Sequence, residues 1–342
     1  MNKESPFVSV ILPIYNSEEY LKDSIGSILN QTYKNIELLL LISARTNRES
    51  LDVINSFTDA RIRRIYRTPE ENLPIALNRG IRESKGKYIA RMDADDISMS
   101  NRLEEQVNFM ERHQDVGVVG SWVKTIGTGK SFINKALTNP EDIRVNLLFY
   151  TSMVHPSTMF RRSLLEKFNL EYDGTFDEVE DYDMWVRCSV CFPITNINKV
   201  LLLYRIHKNS KFQTHRKEVR DVTYKIRLKL LQKLGLNPSG EEMITHNSLN
   251  PMEGENVDVF LKKEGEWLTK IIKANVRTNV YAKESLSKII YNRWYAICGA
   301  NTKEGLVVWK KFIQSPFFHI NKPGHIWDCI KMFIKCVIIL QT

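Results

Sequence analysis

Apolar residues fall into two rhythms along the first two hundred positions. Residues 7–13 and 36–42 are short, nearly unbroken apolar runs, the pattern of strands buried on both faces. Between them Tyr20, Leu21, Ile25, Ile28 and Leu29 recur at helical spacing across 18–30. The strand rhythm returns at 62–66 and 88–92, and the helical one at 51–57 and 74–84. Strands alternating with helices predict an α/β fold, a mostly parallel sheet covered on both faces. Further along, helices are expected at 102–113, 141–149 and 163–168, and strands at 116–125, 153–160 (broken by Pro156) and 197–204. Residues 127–139 read as loop. The acidic stretch 178–183 leads into 184–187, read as a helix with an acidic first turn.

From Lys208 only the helical rhythm remains. A basic stretch at 208–233 carries Val219, Val222, Ile226, Leu230 and Leu231 on one side, and a polar linker is expected at 237–256. Helices follow at 257–275, 283–298 and 304–314, then an apolar stretch at 324–340 interrupted by Asp328, Lys331 and Lys335. Two domains are therefore expected, residues 1–210 mixed α/β and 211–342 helical.

Composition narrows the class. Of 342 residues 43% are hydrophobic and 26% charged, which excludes a disordered chain. A net charge of +9 favours anionic partners. Five cysteines, an odd number at loose spacing, point to a reducing compartment, and Cys188 and Cys191 read as ordinary residues of a helix. No signal segment and no run of eighteen uncharged apolar residues are seen, so a cytoplasmic protein is expected.

The chemistry concentrates at the end of the strand at 88–92, which runs into Asp93, Asp95 and Asp96. Two carboxylates about 4 Å apart repel by roughly 4 kcal/mol at an effective dielectric near 20. Such acids call for a shared proton or a cation. Mg²⁺ commonly takes one or two carboxylates and completes its shell with water and phosphate, and open α/β sheets bind ligands beyond their strand ends. The alternative is an acidic loop capping the helix that begins near Asn101.

Six motifs in order resemble the family 2 glycosyltransferases, inverting enzymes with a GT-A (Rossmann-like) fold. They are Val8 to Asn16, Ser27 to Tyr33, Gly86 to Asp96, His155-Pro156-Ser157, Glu180 to Arg187 and Tyr204 to His207. The likeness spans about 7–210, is nearest to enzymes of bacterial surface-polysaccharide assembly, and leaves the helical region as an appendage. It implies a nucleotide-sugar donor, a glycan or lipid-linked acceptor, and Mg²⁺ or Mn²⁺. Residue by residue, it implies donor contacts at Pro13, Ile14, Tyr15, Asp93 and Ala94. It implies metal ligation by Asp95 with Asp93 and His207, and Asp181 as the base that deprotonates the acceptor. His155, Glu180 and Trp185 fall on the acceptor side. His207 also reads as a surface histidine following a strand, His155 as part of a structural turn, and Trp185 as packing.

One departure stands out. Where the family carries an acidic pair and glycine after the second strand, this chain has Ile42-Ser43-Ala44-Arg45. Ser43 and Arg45 then take the place of the aspartate that reads the donor base, and a uridine preference no longer follows. Two other classes remain open: a nucleotidyltransferase, disfavoured by the lack of glycines after the first strand, and a nucleic-acid-binding protein, disfavoured because the basic residues lie on amphipathic helices. The stretch at 324–340 is read two ways, as an amphipathic helix on the inner face of the cytoplasmic membrane or as a helix packed against protein.

Overall fold

A computed structural model describes residues 5–207 and 216–338. The chain forms two compact units, one from residues up to 143 and from 151 to 223, the other from 144–150 and from 224 onward.

In the first unit β1 (Val8–Ile14), β2 (Ile36–Ile42), β3 (Ile62–Tyr66) and β4 (Tyr88–Arg91) lie side by side in the order β3-β2-β1-β4, all parallel. The linking helices are α1 (Glu18–Leu29), α2 (Arg48–Asn55) and α3 (Leu73–Glu83). Every residue of β2 is buried, which is why its sequence lacks polar alternation. Its one charge, Glu37, is satisfied by Ser9 Oγ at 2.6 Å, Arg63 Nη1 at 2.8 Å and the Lys85 N–H at 2.8 Å. Gly86 enters β4 where a Cβ would lie 2.5 Å from the Ser9 nitrogen, so no side chain fits.

Beyond β4 the sheet is mixed. It continues through β8 (Met159–Arg161), β6 (Val118–Gly127), β9 (Ile194–Ile206) and β5 (Ile97–Ser98), with β7 (Ile133–Asn134) paired to β6. Only β6 and β9 are parallel here; the other pairings are antiparallel. Helices α4 (Arg102–Arg112), α5 (Pro140–Asn146), α6 (Arg162–Lys167) and α7 (Glu180–Cys191) complete the series. The strand expected at 153–160 is instead a single 3₁₀ turn, His155–Ser157, followed by the short β8. Pro156, with no N–H to give a ladder, sits in the first turn, where none is needed. The expected loop at 127–139 contains β7.

The second unit holds α9 (Gly240–Asn247), α10 (Val257–Thr278), α11 (Lys283–Ala300), α12 (Leu306–Gln314) and α13 (Pro323–Ile338), while α8 (Arg216–Lys233) spans the boundary. The linker expected at 237–256 is thus part helix. Ser239 and Glu242 close a reciprocal capping box at its start, a signal present in the sequence. The segment 144–150 is held by His246, whose Nε2–H donates to the Leu148 carbonyl at 2.8 Å while Nδ1 accepts from Trp267 Nε1 at 3.0 Å. Residues 208–215 of the expected basic helix, and 339–340 of the apolar stretch, lie outside the described residues. All five cysteines are free thiols. Among the described residues no helix is long and apolar enough to cross a membrane.

Candidate active site

Because β1, β2 and β4 are parallel and neighbours, their carboxyl ends open on one edge of the sheet. At the end of β1 Pro13 is half-buried and Tyr15 is 55% exposed, open to a ligand. Ile14 has no exposed surface and belongs to the core; its carbonyl accepts the Ser43 N–H at 3.0 Å. The Ile14 side chain is therefore out of a donor's reach, and the Ala94 side chain is buried as well. Ser43 Oγ accepts the Arg45 N–H at 3.3 Å, folding the β2 exit into a tight turn with the Arg45 side chain in solvent.

The acids are gathered by the curl of the sheet. β5 begins immediately after them and pairs antiparallel with β9, Ile97 opposite Leu203. Continuing that register sets Asp95 and Asp96 beside Arg205, and the contacts follow it. The Arg205 N–H donates to Asp96 Oδ1 at 2.7 Å, and Arg205 Nε to the Asp95 carbonyl at 2.7 Å. His207 Nε2 then reaches Asp95 Oδ2 at 3.0 Å. From below, Arg102 donates to the carbonyls of Arg91 at 2.7 Å and Thr158 at 3.3 Å, and Ser24 Oγ to that of Asp93 at 2.8 Å.

Asp93, Asp95 and Asp96 each offer an oxygen, all within 4.8 Å of one another. Asp93 gives an oxygen to the guanidinium of Arg91, a buried arginine in an otherwise apolar strand. Asp96 is almost wholly buried, and its Oδ2 has no partner. Burial, followed by the charges of Asp93 and Asp95, raises its carboxyl well above the usual range. An orphaned buried oxygen beside two further carboxylates and an imidazole fits a divalent cation, with oxygen donors suiting Mg²⁺ and a single histidine admitting Mn²⁺. In the sequence Asp96 stands out only as one acid of the cluster, without a role of its own, and Arg91 does not stand out. The cue for both is a charged residue inside a buried stretch.

At the start of α7, Asp181 is half-buried and accepts the N–H of Tyr182 at 2.7 Å. Burial raises its carboxyl, opposed by that N–H and by the positive charge of Arg91. Glu180, His155 and Trp185 do not form an acceptor surface, for all three are buried. Trp185 is stacked on Phe160 at 5.5 Å between ring centroids and meets the His155 ring edge-on at 5.7 Å. His155 Nε2 lies 2.7 Å from the Tyr172 hydroxyl, and its Nδ1 lies 3.8 Å from Glu180 Oε1. Burial, and secondarily Arg91, keeps His155 neutral; burial, then Asp181, pushes Glu180 up to about 8. These residues make an uncharged wall behind Asp181.

The sequence profile described as "Glycosyl transferase family 2" matches residues 9–168. The O-antigen biosynthesis glycosyltransferase WbnJ of Escherichia coli is 35% identical over 209 residues, which cover 59% of this chain and 81% of that relative. The chain belongs to glycosyltransferase family 2. Solved structures resemble this glycosyltransferase in fold. The Staphylococcus aureus TarS fragment 1–349 in complex with UDP-GlcNAc superposes with a TM-score of 0.56 at 15% identity, covering 90% of this chain and 88% of that one. A mannosyltransferase of Pyrobaculum calidifontis in complex with GDP-Man and Mn²⁺ gives a TM-score of 0.52 at 15% identity, covering 98% and 87%. Membership sets the nucleotidyltransferase alternative aside, and the GT-A fold is the one expected.

Proposed function

We propose that this glycosyltransferase moves a sugar from a nucleotide-sugar donor to a hydroxyl of a glycan or lipid-linked acceptor in surface-polysaccharide assembly, with inversion at the anomeric carbon. The observation that carries this reading is the cluster of Asp93, Asp95 and Asp96 beyond the end of β4, its oxygens within 4.8 Å of one another and His207 Nε2 set against Asp95 at 3.0 Å. The donor class is supported by the UDP-GlcNAc and GDP-Man held by proteins of the same fold. The acceptor class is supported by WbnJ, a relative named for O-antigen biosynthesis.

In this reading Tyr15 and Pro13 face the nucleoside and the turn Ser43 to Arg45 meets its base. Ser43 offers one hydroxyl there as donor or acceptor. Asp95, Asp96 and His207 would hold Mg²⁺ or Mn²⁺, which when bound offsets the charge developing on the departing diphosphate. Asp93, paired with the buried Arg91, lies on the donor side of the cluster and fixes that end of the cleft. Asp181 takes the proton from the acceptor hydroxyl as the new glycosidic bond forms. The buried wall of Glu180, His155, Tyr172 and Trp185 holds the first turn of α7, and with it Asp181, in place.

A panel of UDP-, GDP- and dTDP-sugars assayed for nucleoside diphosphate release, with Mn²⁺, Mg²⁺ and excess chelator, tests the reading. One donor should be turned over in a chelator-sensitive way. No turnover of any donor with either metal would refute it.

A further inference from the structure

We propose that α13 is an interfacial helix that seats this glycosyltransferase on an anionic bilayer surface. Its sequence carries two apolar faces. One is spent on the second unit: His325, Met332 and Cys336 are buried. The other is left in solvent, formed by Ile326, Trp327, Ile330, Phe333 and Ile334, with Trp327 63% exposed. At about 100° per residue these five positions span an arc of roughly 120°, wide enough for a whole helix face. Phe333 is braced edge-on by Trp309 at 5.2 Å, so the face is held by the unit rather than hanging from it.

The charge around this face selects the occupant. Lys331 and Lys335, both exposed, stand along the solvent border of the arc, within reach of headgroups for side chains of their length. From 303 to 335 the chain has six lysines and two acids. One of those acids, Asp328, is already engaged by the Tyr291 hydroxyl at 3.0 Å and by Lys331 at 3.8 Å. A tryptophan and a phenylalanine within an apolar arc edged by lysines is the make-up of a helix lying in the headgroup plane. A second copy meeting the same face about a two-fold axis would bring its own lysines to the seam, where the one acid of α13, Asp328, is already engaged by Tyr291 and Lys331. The inference stands apart from the donor chemistry, since it concerns residues of the second unit alone.

Flotation of the full chain with vesicles tests it. Vesicles of phosphatidylglycerol and phosphatidylethanolamine should carry the protein up a density gradient, and vesicles of phosphatidylcholine far less. Trp327→Glu with Ile330→Glu, at exposed positions, should abolish flotation while melting temperature and sugar transfer to a soluble acceptor stay unchanged. Lys331→Gln with Lys335→Gln should lower the bound-to-free ratio about tenfold or more at low salt. Absence of flotation, or equal flotation of the Glu variant, overturns the proposal. So does sedimentation of the wild type as a dimer that the Glu variant dissociates, which would make this face a self-interface.

Discussion

Asp95 and His207, 112 positions apart in the chain, meet with Oδ2 and Nε2 separated by 3.0 Å. β5 makes the meeting possible: only two residues long, it lies against β9 so that the acid stretch and the β9 exit face each other. The histidine is therefore tied to the acid cluster by the sheet and not by its own loop. His207→Ala should raise the Mn²⁺ concentration for half-maximal activity by on the order of 10–100-fold while leaving the melting temperature unchanged. An unaltered Mn²⁺ titration would return His207 to the role of a surface residue.

Asp96 should matter as much as Asp95, although it lies outside the Asp-x-Asp pair. Its unpartnered Oδ2 is buried beside two carboxylates, so a bound cation relieves the crowding. Adding Mn²⁺ should raise the melting temperature of the wild type, and both Asp95→Asn and Asp96→Asn should diminish that rise. An Asp96→Asn variant with the full shift would show that Asp96 serves only as the acceptor for Arg205.

Asp181→Asn should reduce turnover by about 10²–10⁴-fold, the usual worth of a general base. Donor affinity should stay within about twofold, because the base acts on the acceptor in the transition state. Isothermal titration with the nucleoside diphosphate separates the two effects. Loss of binding with an unchanged maximal rate would make Asp181 a structural residue.

The parallel half of the sheet was legible because β1, β2 and β4 are buried on both faces and so spell themselves as apolar runs. The second half was harder to read. β8 has three residues and β5 two, too short for any periodicity, and each exists only through its partners. The site divides the same way. Asp93, Asp95 and Asp181 stand out as acids at element ends, but the job of Glu180, His155 and Trp185 depends on burial, which the motif does not encode. Arg91 was overlooked because a single arginine in a strand is ordinary until its partner, Asp93, is seen.

Glu180 makes folding stability fall as pH rises. Its carboxyl is near 4.5 when unfolded and about 8 when folded. The folded state therefore holds the extra proton between these values, and stability is full below the lower one and declines as pH rises through the upper one. Glu180→Gln cannot ionise, so its melting temperature should fall less than that of the wild type from pH 5 to pH 9. Parallel declines would mean that Glu180 is not buried as a neutral acid.

His246 produces the opposite dependence in the second unit. Burial, only partly offset by the Leu148 carbonyl, takes its imidazole from 6.5 down to about 3. The unfolded chain then binds the proton first, so the stabilisation is complete above the unfolded value and is lost as pH falls toward the folded one. The slope should approach about 1.4 kcal/mol per pH unit across that window. The neutral ring is also what joins Leu148 to Trp267, donating at Nε2 and accepting at Nδ1. His246→Gln should accordingly cost about 1–3 kcal/mol at pH 7, through buried groups left without partners. The same variant should lose less stability than the wild type between pH 6.5 and pH 4. Urea melts at the three pH values measure both effects. A variant that is weaker at pH 7 but declines as steeply as the wild type would assign the acid sensitivity to other groups.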